Sequence, residues 1–202
     1  KDILNLVYLC RYFNLPEVAD YWEQIIILND YQKYGFAKKI ISSLFNTVSD
    51  KKIAFLGWAF KKDTNDTRES AAIYVAEHLI EDGAQIHVYD PKVSEAKIKA
   101  DMRSLWELKG ITEYKIEKKL SQVFVYKTHE EALDQAHALA VLTEWDEFKT
   151  YDWENIYVKM YKPAFVFDGR NILDVEKLTD IGFKIKGIGK AEVFSCKKES
   201  IF

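Results

Sequence analysis

The sequence predicts an α/β fold in which a Rossmann-like parallel sheet, with helices on both faces, follows a segment of long helices. Short continuous apolar runs alternate with segments whose apolar residues recur at helical spacing, as in a parallel sheet that is covered on both sides. The first 46 residues show helical patterns only. The 202 residues are 48% hydrophobic, which is enough for one full domain and an extra element.

The opening segment is predicted to form two helices. The first has its apolar residues at Ile3, Leu6, Val7 and Cys10. Pro16 favours the first turn of a second helix, because its missing N–H would be unpaired there anyway. This helix runs to about Leu44, and its apolar surface between Val18 and Ile40 is wider than a solvent-facing helix needs. We therefore expect another part of the protein, a partner subunit, or both to cover it.

Strands and helices then alternate after the turn signal at 46–50. The runs that predict strands lie at 53–56, 86–91, 123–125, 139–142, 164–168 and 184–188. Helical spacing marks 72–80, 129–136, 151–160 and 175–179. Gly83 and Gly182 end two of these helices, and the charged stretch 93–122 has too weak a pattern for a prediction. We divide the chain into a helical segment (1–46), a Rossmann-like domain (47–190) and a flexible tail (191–202).

Composition excludes several classes of function. With 29 basic and 32 acidic residues, the chain has no electrostatic footprint for nucleic acid or for an anionic membrane. No apolar run is long enough to span a bilayer. Cys10 and Cys196 cannot form a disulfide framework or a four-ligand zinc site, and the histidines show no metal-ligand spacing, so we expect no metal and a reducing, cytoplasmic setting. The chain begins in helix-like sequence without Met, and we interpret it as part of a longer protein.

Ligands of open parallel sheets bind beyond the carboxyl ends of the strands, and a loop at 58–70 follows the first predicted strand. It lacks the glycine-rich pattern through which backbone amides approach a pyrophosphate. It offers instead Lys61, Lys62, Arg68 and the start of a helix, which can hold phosphate without glycines. A solvated loop with capping residues is the alternative interpretation.

Two further loops occupy comparable positions. In 168–171, Gly169 permits a tight turn and Arg170 can bind a carboxylate or a phosphate, although a surface arginine is usually only solvated. In 143–148, Trp145 could stack on a base, but packing is favoured. Asp90, at the end of the second predicted strand, is expected to act as a cap or turn residue because no glycine fingerprint precedes it. Cys10 lies on an apolar helix face without a nearby histidine, which favours inert packing.

Six short motifs occur in an order and spacing that resemble the nucleotide-sugar 6-dehydrogenases, most closely the branch that oxidises UDP-glucose. They are Lys1–Leu6, Phe60–Thr64, Asp66–Ser70, Tyr89–Pro91, Thr143–Trp145 and Phe167–Arg170. The resemblance covers residues 1 to about 189. It implies that residues 1–46 end a central dimerisation domain, that a Rossmann-like UDP-binding domain follows, and that an NAD-binding domain lies upstream of this chain.

The resemblance also implies roles for individual residues. Phe60, Lys61 and Arg170 match substrate-contacting residues, Arg68 matches a residue that reaches NAD, and Asp2 matches an aspartate that assists a catalytic cysteine and the hydrolytic water. In such enzymes two hydride transfers to NAD convert UDP-glucose to UDP-glucuronate through cysteine-bound intermediates. That cysteine would lie just before Lys1, so the chain alone is predicted to be inactive.

Three interpretations of the function stay open at this point. The first is the UDP-binding part of a homo-oligomeric dehydrogenase that acts on UDP-glucose. The second is a related enzyme for a UDP-N-acetyl sugar or GDP-mannose, because the architecture is shared. The third is an assembly module, which the wide apolar surface of the second helix favours.

Overall fold

The structure is a computed structural model and describes residues 2–190. Six strands form one sheet, all of them parallel, in the order β3-β2-β1-β4-β5-β6. The strands are β1 (Lys52–Leu56), β2 (Gln85–Tyr89), β3 (Val123–Val125), β4 (Ala138–Val141), β5 (Phe165–Asp168) and β6 (Lys184–Gly187). The strand order reverses between β1 and β4, which is the doubly wound arrangement of a Rossmann-like fold. The predicted fold class is confirmed.

Eight α-helices accompany the sheet in residues 2–190. They are α1 (Asp2–Tyr12), α2 (Pro16–Ser43), α3 (Ala71–Glu81), α4 (Glu95–Leu108), α5 (Glu113–Leu120), α6 (His129–Leu133), α7 (Trp153–Lys159) and α8 (Val175–Ile181). A 3-10 helix (Asp146–Thr150) follows β4. Because crossovers between parallel strands are right-handed, the connections that run outward from β1 and those that run outward from β4 cover opposite faces of the sheet.

The charged stretch at 93–122 contains two helices that the sequence pattern did not predict. Ser94 begins α4 by accepting a hydrogen bond from the Lys97 amide at 3.3 Å. Only Ile98, Met102 and Trp106 of this helix are buried, one residue per turn. Such a narrow apolar stripe among charged residues gives a weak periodic signal, although it is enough to attach a helix to the sheet.

The core lies around β1 and β4, the two central strands. Ile53 to Leu56 and all four residues of β4 are buried, as expected for strands that have helices on both sides. The long helix α2 packs through its second half against this body, with Phe36, Ala37 and Ile40 buried. Its first half packs with α1 in a separate small cluster that includes Cys10, which is buried as predicted.

Large apolar side chains remain exposed along α1 and the first half of α2. They include Tyr8, Tyr12, Phe13, Tyr21, Leu28 and Tyr31, each at least 59% exposed. A group of exposed apolar side chains of this kind is typical of an interaction surface. The predicted domain limits at residues 46 and 190 stay predictions, and the predicted tail at 191–202 lies outside the described residues.

Candidate functional site

The carboxyl ends of four strands meet at one edge of the sheet. Leu56 at the end of β1 is in register with Tyr89 of β2 and with Val141 of β4, and Val141 is in register with Asp168 of β5. The loops that follow these strands therefore lie side by side. They contain the three segments in which the sequence placed its candidate residues.

Asp90 holds several of these loops together. It is buried, and its carboxylate accepts five hydrogen bonds. The donors are the amides of Trp58 (2.6 Å), Ala59 (3.0 Å), Lys92 (2.8 Å) and Val93 (2.9 Å) and the indole N–H of Trp145 (3.2 Å). The predicted turn role of Asp90 is confirmed. Trp145 is 5% exposed and packs in the core, as predicted, so its ring has no free face for a base.

The turn after β5 is built around a second buried carboxylate. Asp168 accepts hydrogen bonds from the amides of Arg170 (3.0 Å) and Leu173 (2.8 Å). The residue between Asp168 and Arg170 has to be glycine. A Cβ atom at Gly169 would lie 2.8 Å from the carbonyl oxygen of Val141 and 3.4 Å from the Phe36 ring. This close approach directs the Arg170 side chain toward the loops that follow β4 and β1.

The Arg170 guanidinium bridges those two loops. Its Nε donates to the Leu142 carbonyl oxygen at 2.7 Å and its terminal nitrogen donates to the Phe60 carbonyl oxygen at 3.1 Å. Glu144 forms an ion pair with it at 3.4 Å. About a third of the Arg170 side chain stays exposed. Arg170 lines a small cleft of about 150 Å³ with Leu142 and Ile188, and its guanidinium contacts the backbone of Phe60 beside it.

The two adjacent lysines of the first loop differ in their contacts. Lys62 forms an ion pair of 2.6 Å with Asp146, which also binds Lys149 at 2.7 Å. Hydrogen bonds from Lys149 and Lys62, with their charges, lower the pKa of Asp146 to about 2, and Asp146 in turn raises the pKa of Lys62. Lys61 is exposed and forms no hydrogen bond or ion pair with any other residue in 2–190. Lys61 is therefore the cation of this loop that is available to a ligand.

Arg68 lies in the same loop but is occupied by a neighbour. Its Nε and terminal nitrogen each donate to the Asp66 carboxylate at 2.9 Å, which raises the pKa of Arg68. The guanidinium is 71% exposed. The loop then enters α3, whose cap Ser70 accepts a hydrogen bond from Ala72 at 3.3 Å. The structure does not bring Arg68 into contact with Phe60 or Arg170.

A cavity of about 550 Å³ adjoins the cleft. Phe60 lines it together with Ile3 and Leu4 from the start of α1 and Tyr74 from α3. Asp2, the first described residue, is exposed and directly precedes the two α1 residues in this lining. The structure thus places the beginning of α1 and the Phe60 loop around one space.

Two residues of this region were not predicted from the sequence. Lys33 of α2 is only 8% exposed, forms an ion pair with Asp30 at 2.9 Å and lies 3.8 Å from the centre of the Tyr74 ring. Its position in a long helix gave no signal, because an exposed and a buried lysine look alike in a sequence. Glu144 lies in the candidate loop 143–148, but its ion pair with Arg170 is visible only in the folded structure.

Comparison with known proteins identifies the family. A family profile described as the UDP-glucose/GDP-mannose dehydrogenase family, UDP binding domain, matches residues 54–175, more than half of the chain. The chain belongs to this family. The match runs from within β1 to the start of α8 and includes all three candidate loops.

Relatives of this dehydrogenase family extend the similarity beyond the profile. UDP-glucose 6-dehydrogenase of Pongo abelii is 54% identical over 192 residues, which are 94% of this chain and 38% of that protein. UDP-glucose 6-dehydrogenase 3 of Oryza sativa subsp. japonica is 54% identical over 193 residues, 94% of this chain and 40% of that protein. The chain thus spans about two fifths of the length of these relatives.

Solved structures agree with the family at the level of the fold. A UDP-D-ManNAc dehydrogenase from Pyrococcus horikoshii superposes with a TM-score of 0.60 at 24% identity, covering 89% of this chain and 34% of that one. A UDP-glucose dehydrogenase from Pyrobaculum islandicum gives 0.60 at 21% identity, with 90% and 36% covered. Identities this low support the shared architecture alone.

Two features are absent from residues 2–190. These residues contain no group of three or more histidine, cysteine, aspartate or glutamate side chains arranged to hold a metal ion. None of their helices combines the length and the apolar character needed to cross a bilayer.

Proposed function

We propose that this chain binds the UDP part of UDP-glucose and forms the C-terminal portion of an NAD-dependent UDP-glucose 6-dehydrogenase. The observation that carries the proposal is the 3.1 Å hydrogen bond from Arg170 to the Phe60 carbonyl oxygen. It joins the loops after β1 and β5 at the carboxyl edge of the sheet, and we propose that Lys61 and Arg170 bind the ligand together there.

The cleft suits a diphosphate for electrostatic reasons. Lys61 has no partner within the described residues and a free ammonium group is a strong phosphate ligand. Arg170 keeps part of its guanidinium exposed while three neighbours fix its orientation. A cation that is already oriented loses less conformational entropy when the ligand binds. The two side chains together supply the two positive charges that a diphosphate requires.

Phe60 and Asp2 are proposed to act at the sugar end of the ligand. Phe60 is 44% exposed and borders the 550 Å³ cavity, where its ring can cover the sugar. Asp2 begins α1 beside the residues that line the same cavity. An exposed carboxylate can accept a proton from a water molecule or from a reacting group, as an assisting base must.

We propose that this chain contacts the cofactor NAD only through Arg68 and does not form the main NAD site. The loop after β1 has no glycine-rich pattern, and Trp58 is fully buried where a pyrophosphate would need open backbone amides. Arg68, exposed and positively charged, is the residue proposed to reach the cofactor. NAD supplies the hydride acceptor when it is bound. We expect the chain alone not to oxidise UDP-glucose, because Cys10, the only cysteine in residues 2–190, is buried.

Self-association is a second proposed property, and the exposed apolar surface of α1 and α2 favours it. In this view the segment 1–46 joins copies of the chain into a homo-oligomer while residues 47–190 bind the ligand. The cytoplasmic location expected from the cysteine content stays a prediction.

Calorimetric titration of the purified chain with UDP-glucose, UDP and GDP-mannose tests the proposal. We expect UDP-glucose and UDP to bind at micromolar to millimolar concentration and GDP-mannose to bind more weakly. Circular dichroism should show that the chain is folded. A folded chain that binds none of these ligands at millimolar concentration would refute the proposal, and a preference for GDP-mannose would favour the related enzyme of that specificity.

A further inference from the structure

Glu144 is an anionic residue at the edge of a cleft that is proposed to bind an anion. Its Oε1 atom accepts a hydrogen bond from the Lys62 amide at 3.4 Å, and its Oε2 atom lies 3.4 Å from the Nε of Arg170. Oε2 is shielded from solvent and accepts no hydrogen bond from residues 2–190. Shielding a carboxylate oxygen without a hydrogen-bond donor costs free energy, and the ion pair with Arg170 offsets part of that cost.

The position of Glu144 connects the three loops of the site. It follows β4, it binds the backbone of the β1 loop next to Lys61, and it pairs with the arginine of the β5 loop. No other carboxylate in the described chain is paired with Arg170. The charge of Glu144 therefore acts on the geometry of both proposed phosphate ligands.

We propose that Glu144 is a positioning residue that sets the spacing between Arg170 and the Lys61 segment and thereby strengthens binding of a nucleoside diphosphate. The inference rests on the proposed function. The shielded Oε2 faces Arg170, so in this proposal Glu144 acts through Arg170 and the β1 loop.

One substitution distinguishes this positioning role from simple charge repulsion, because the two predict opposite changes in the affinity for UDP. In Glu144→Gln the amide oxygen can still accept from Lys62, while the ion pair with Arg170 is lost. If the carboxylate merely repelled the diphosphate, removing its charge would tighten binding. If it positions Arg170, the same change weakens binding. Glu154→Gln on α7 is the matched control, since it removes one exposed negative charge that contacts neither loop.

The experiment is a double-substitution cycle with UDP as the probe. We expect Glu144→Gln to weaken UDP binding roughly 5- to 20-fold in the unaltered chain and less than about 2-fold in an Arg170→Ala background, because the residue acts through Arg170. Glu144→Asp, which keeps the charge, should recover part of the affinity, and Glu154→Gln should bind like the unaltered chain. Thermal midpoints identify any variant whose binding is lost through unfolding.

Several results would overturn the inference. Tighter or unchanged UDP binding by folded Glu144→Gln would do so, and so would an equal loss in both backgrounds. If the Gln variant does not fold, Glu144→Asp takes its place. Its UDP affinity is compared with that of the unaltered chain, with and without Arg170→Ala, and a loss that is equal in both backgrounds would again overturn the inference. If UDP binds and Arg170→Ala weakens it while Glu144 has no effect, the proposed function stands without this inference. A chain that does not bind UDP overturns both.

Discussion

Lys61 and Lys62 are adjacent, yet only one of them has a free charge. Lys62 is held by Asp146 at 2.6 Å, whereas Lys61 has no partner within the described chain. We predict that Lys61→Ala weakens UDP binding about 10-fold, the loss expected for one exposed charge-assisted contact. Lys62→Ala changes the net charge equally and should weaken binding less than about 2-fold. Calorimetry at fixed ionic strength measures both.

Equal effects of the two lysine substitutions would contradict this prediction, because they would indicate attraction by net charge alone. Raising the salt concentration separates these cases further. A general field is screened over about 10 Å at 0.1 M salt, so at high salt neither substitution should matter much if net charge alone attracts UDP, whereas the loss in Lys61→Ala should persist if its ammonium group touches a phosphate.

His87 is predicted to make the folded chain sensitive to acid. It is 6% exposed, and its burial, with the charge of Lys52, lowers its pKa from 6.5 to about 4. Between these values the unfolded chain binds a proton that the folded chain does not, so stability is complete above pH 6.5 and falls as the pH decreases toward 4. The free energy of unfolding should decrease by about 2 kcal/mol between pH 7.5 and pH 5 from this group.

Urea denaturation at the two pH values tests this with two variants. His87→Leu should be the less sensitive to pH by about that amount, while His78→Gln on α3 should follow the unaltered chain. A His87→Leu variant with an unchanged pH dependence would show that other groups cause the acid sensitivity.

At the residue scale, the sequence predicted which side chains are buried better than it predicted which side chains contact each other. Trp145 and Asp90 were assigned to packing and to a turn from residue type and position, and both are buried there. Glu144 could not be assigned, because its partner Arg170 lies 26 positions away and meets it only when β4 and β5 pair. The roles of Asp2, Phe60, Lys61, Arg68 and Arg170 stay predictions.

At the scale of elements, the turn after β5 and the helix α2 each contain a glycine, and the two differ in whether a Cβ atom would fit. A Cβ at Gly169 would lie 2.8 Å from a backbone oxygen, whereas a Cβ at Gly35 would meet nothing within 4 Å. We predict that Gly169→Ala destabilises the chain by about 1–3 kcal/mol. Gly35→Ala should stabilise it by about 0.5–1 kcal/mol, because alanine restricts the unfolded chain and favours the helix.

Denaturant unfolding monitored by circular dichroism measures both changes. A neutral Gly169→Ala would show that the turn can shift without cost, and the argument that this turn fixes Arg170 would then fail. Gly35→Ala controls for the general effect of adding a methyl group.

Elements with continuous apolar runs were predicted well, and those with mixed patterns were not. All six strands fall within about two residues of the predicted runs, since buried parallel strands tolerate few polar residues. The helices α4 and α5 were missed because charged residues dominate them and only Ile116 of α5 is buried. The helix α4 packs on α3 and β3, and α5 packs on α4, and such tertiary contacts are not visible in the local sequence.

At the scale of the whole molecule, the exposed apolar side chains of α1 and α2 predict self-association. Multi-angle light scattering of the purified chain should give a mass at least twice 23.6 kDa. Tyr21→Glu and Leu28→Glu together should shift the mass toward the monomer without loss of UDP binding, because both residues lie outside the cleft. A strictly monomeric unaltered chain would contradict the assembly role.

The central claim is that Lys61 and Arg170 bind one diphosphate at the carboxyl edge of the sheet. A crystal structure of the chain with UDP tests it most directly. We predict that the Lys61 ammonium and the Arg170 guanidinium both lie within about 3 Å of phosphate oxygens of one UDP molecule. A UDP molecule bound elsewhere, or bound at this edge with neither cation on its phosphates, would contradict the claim.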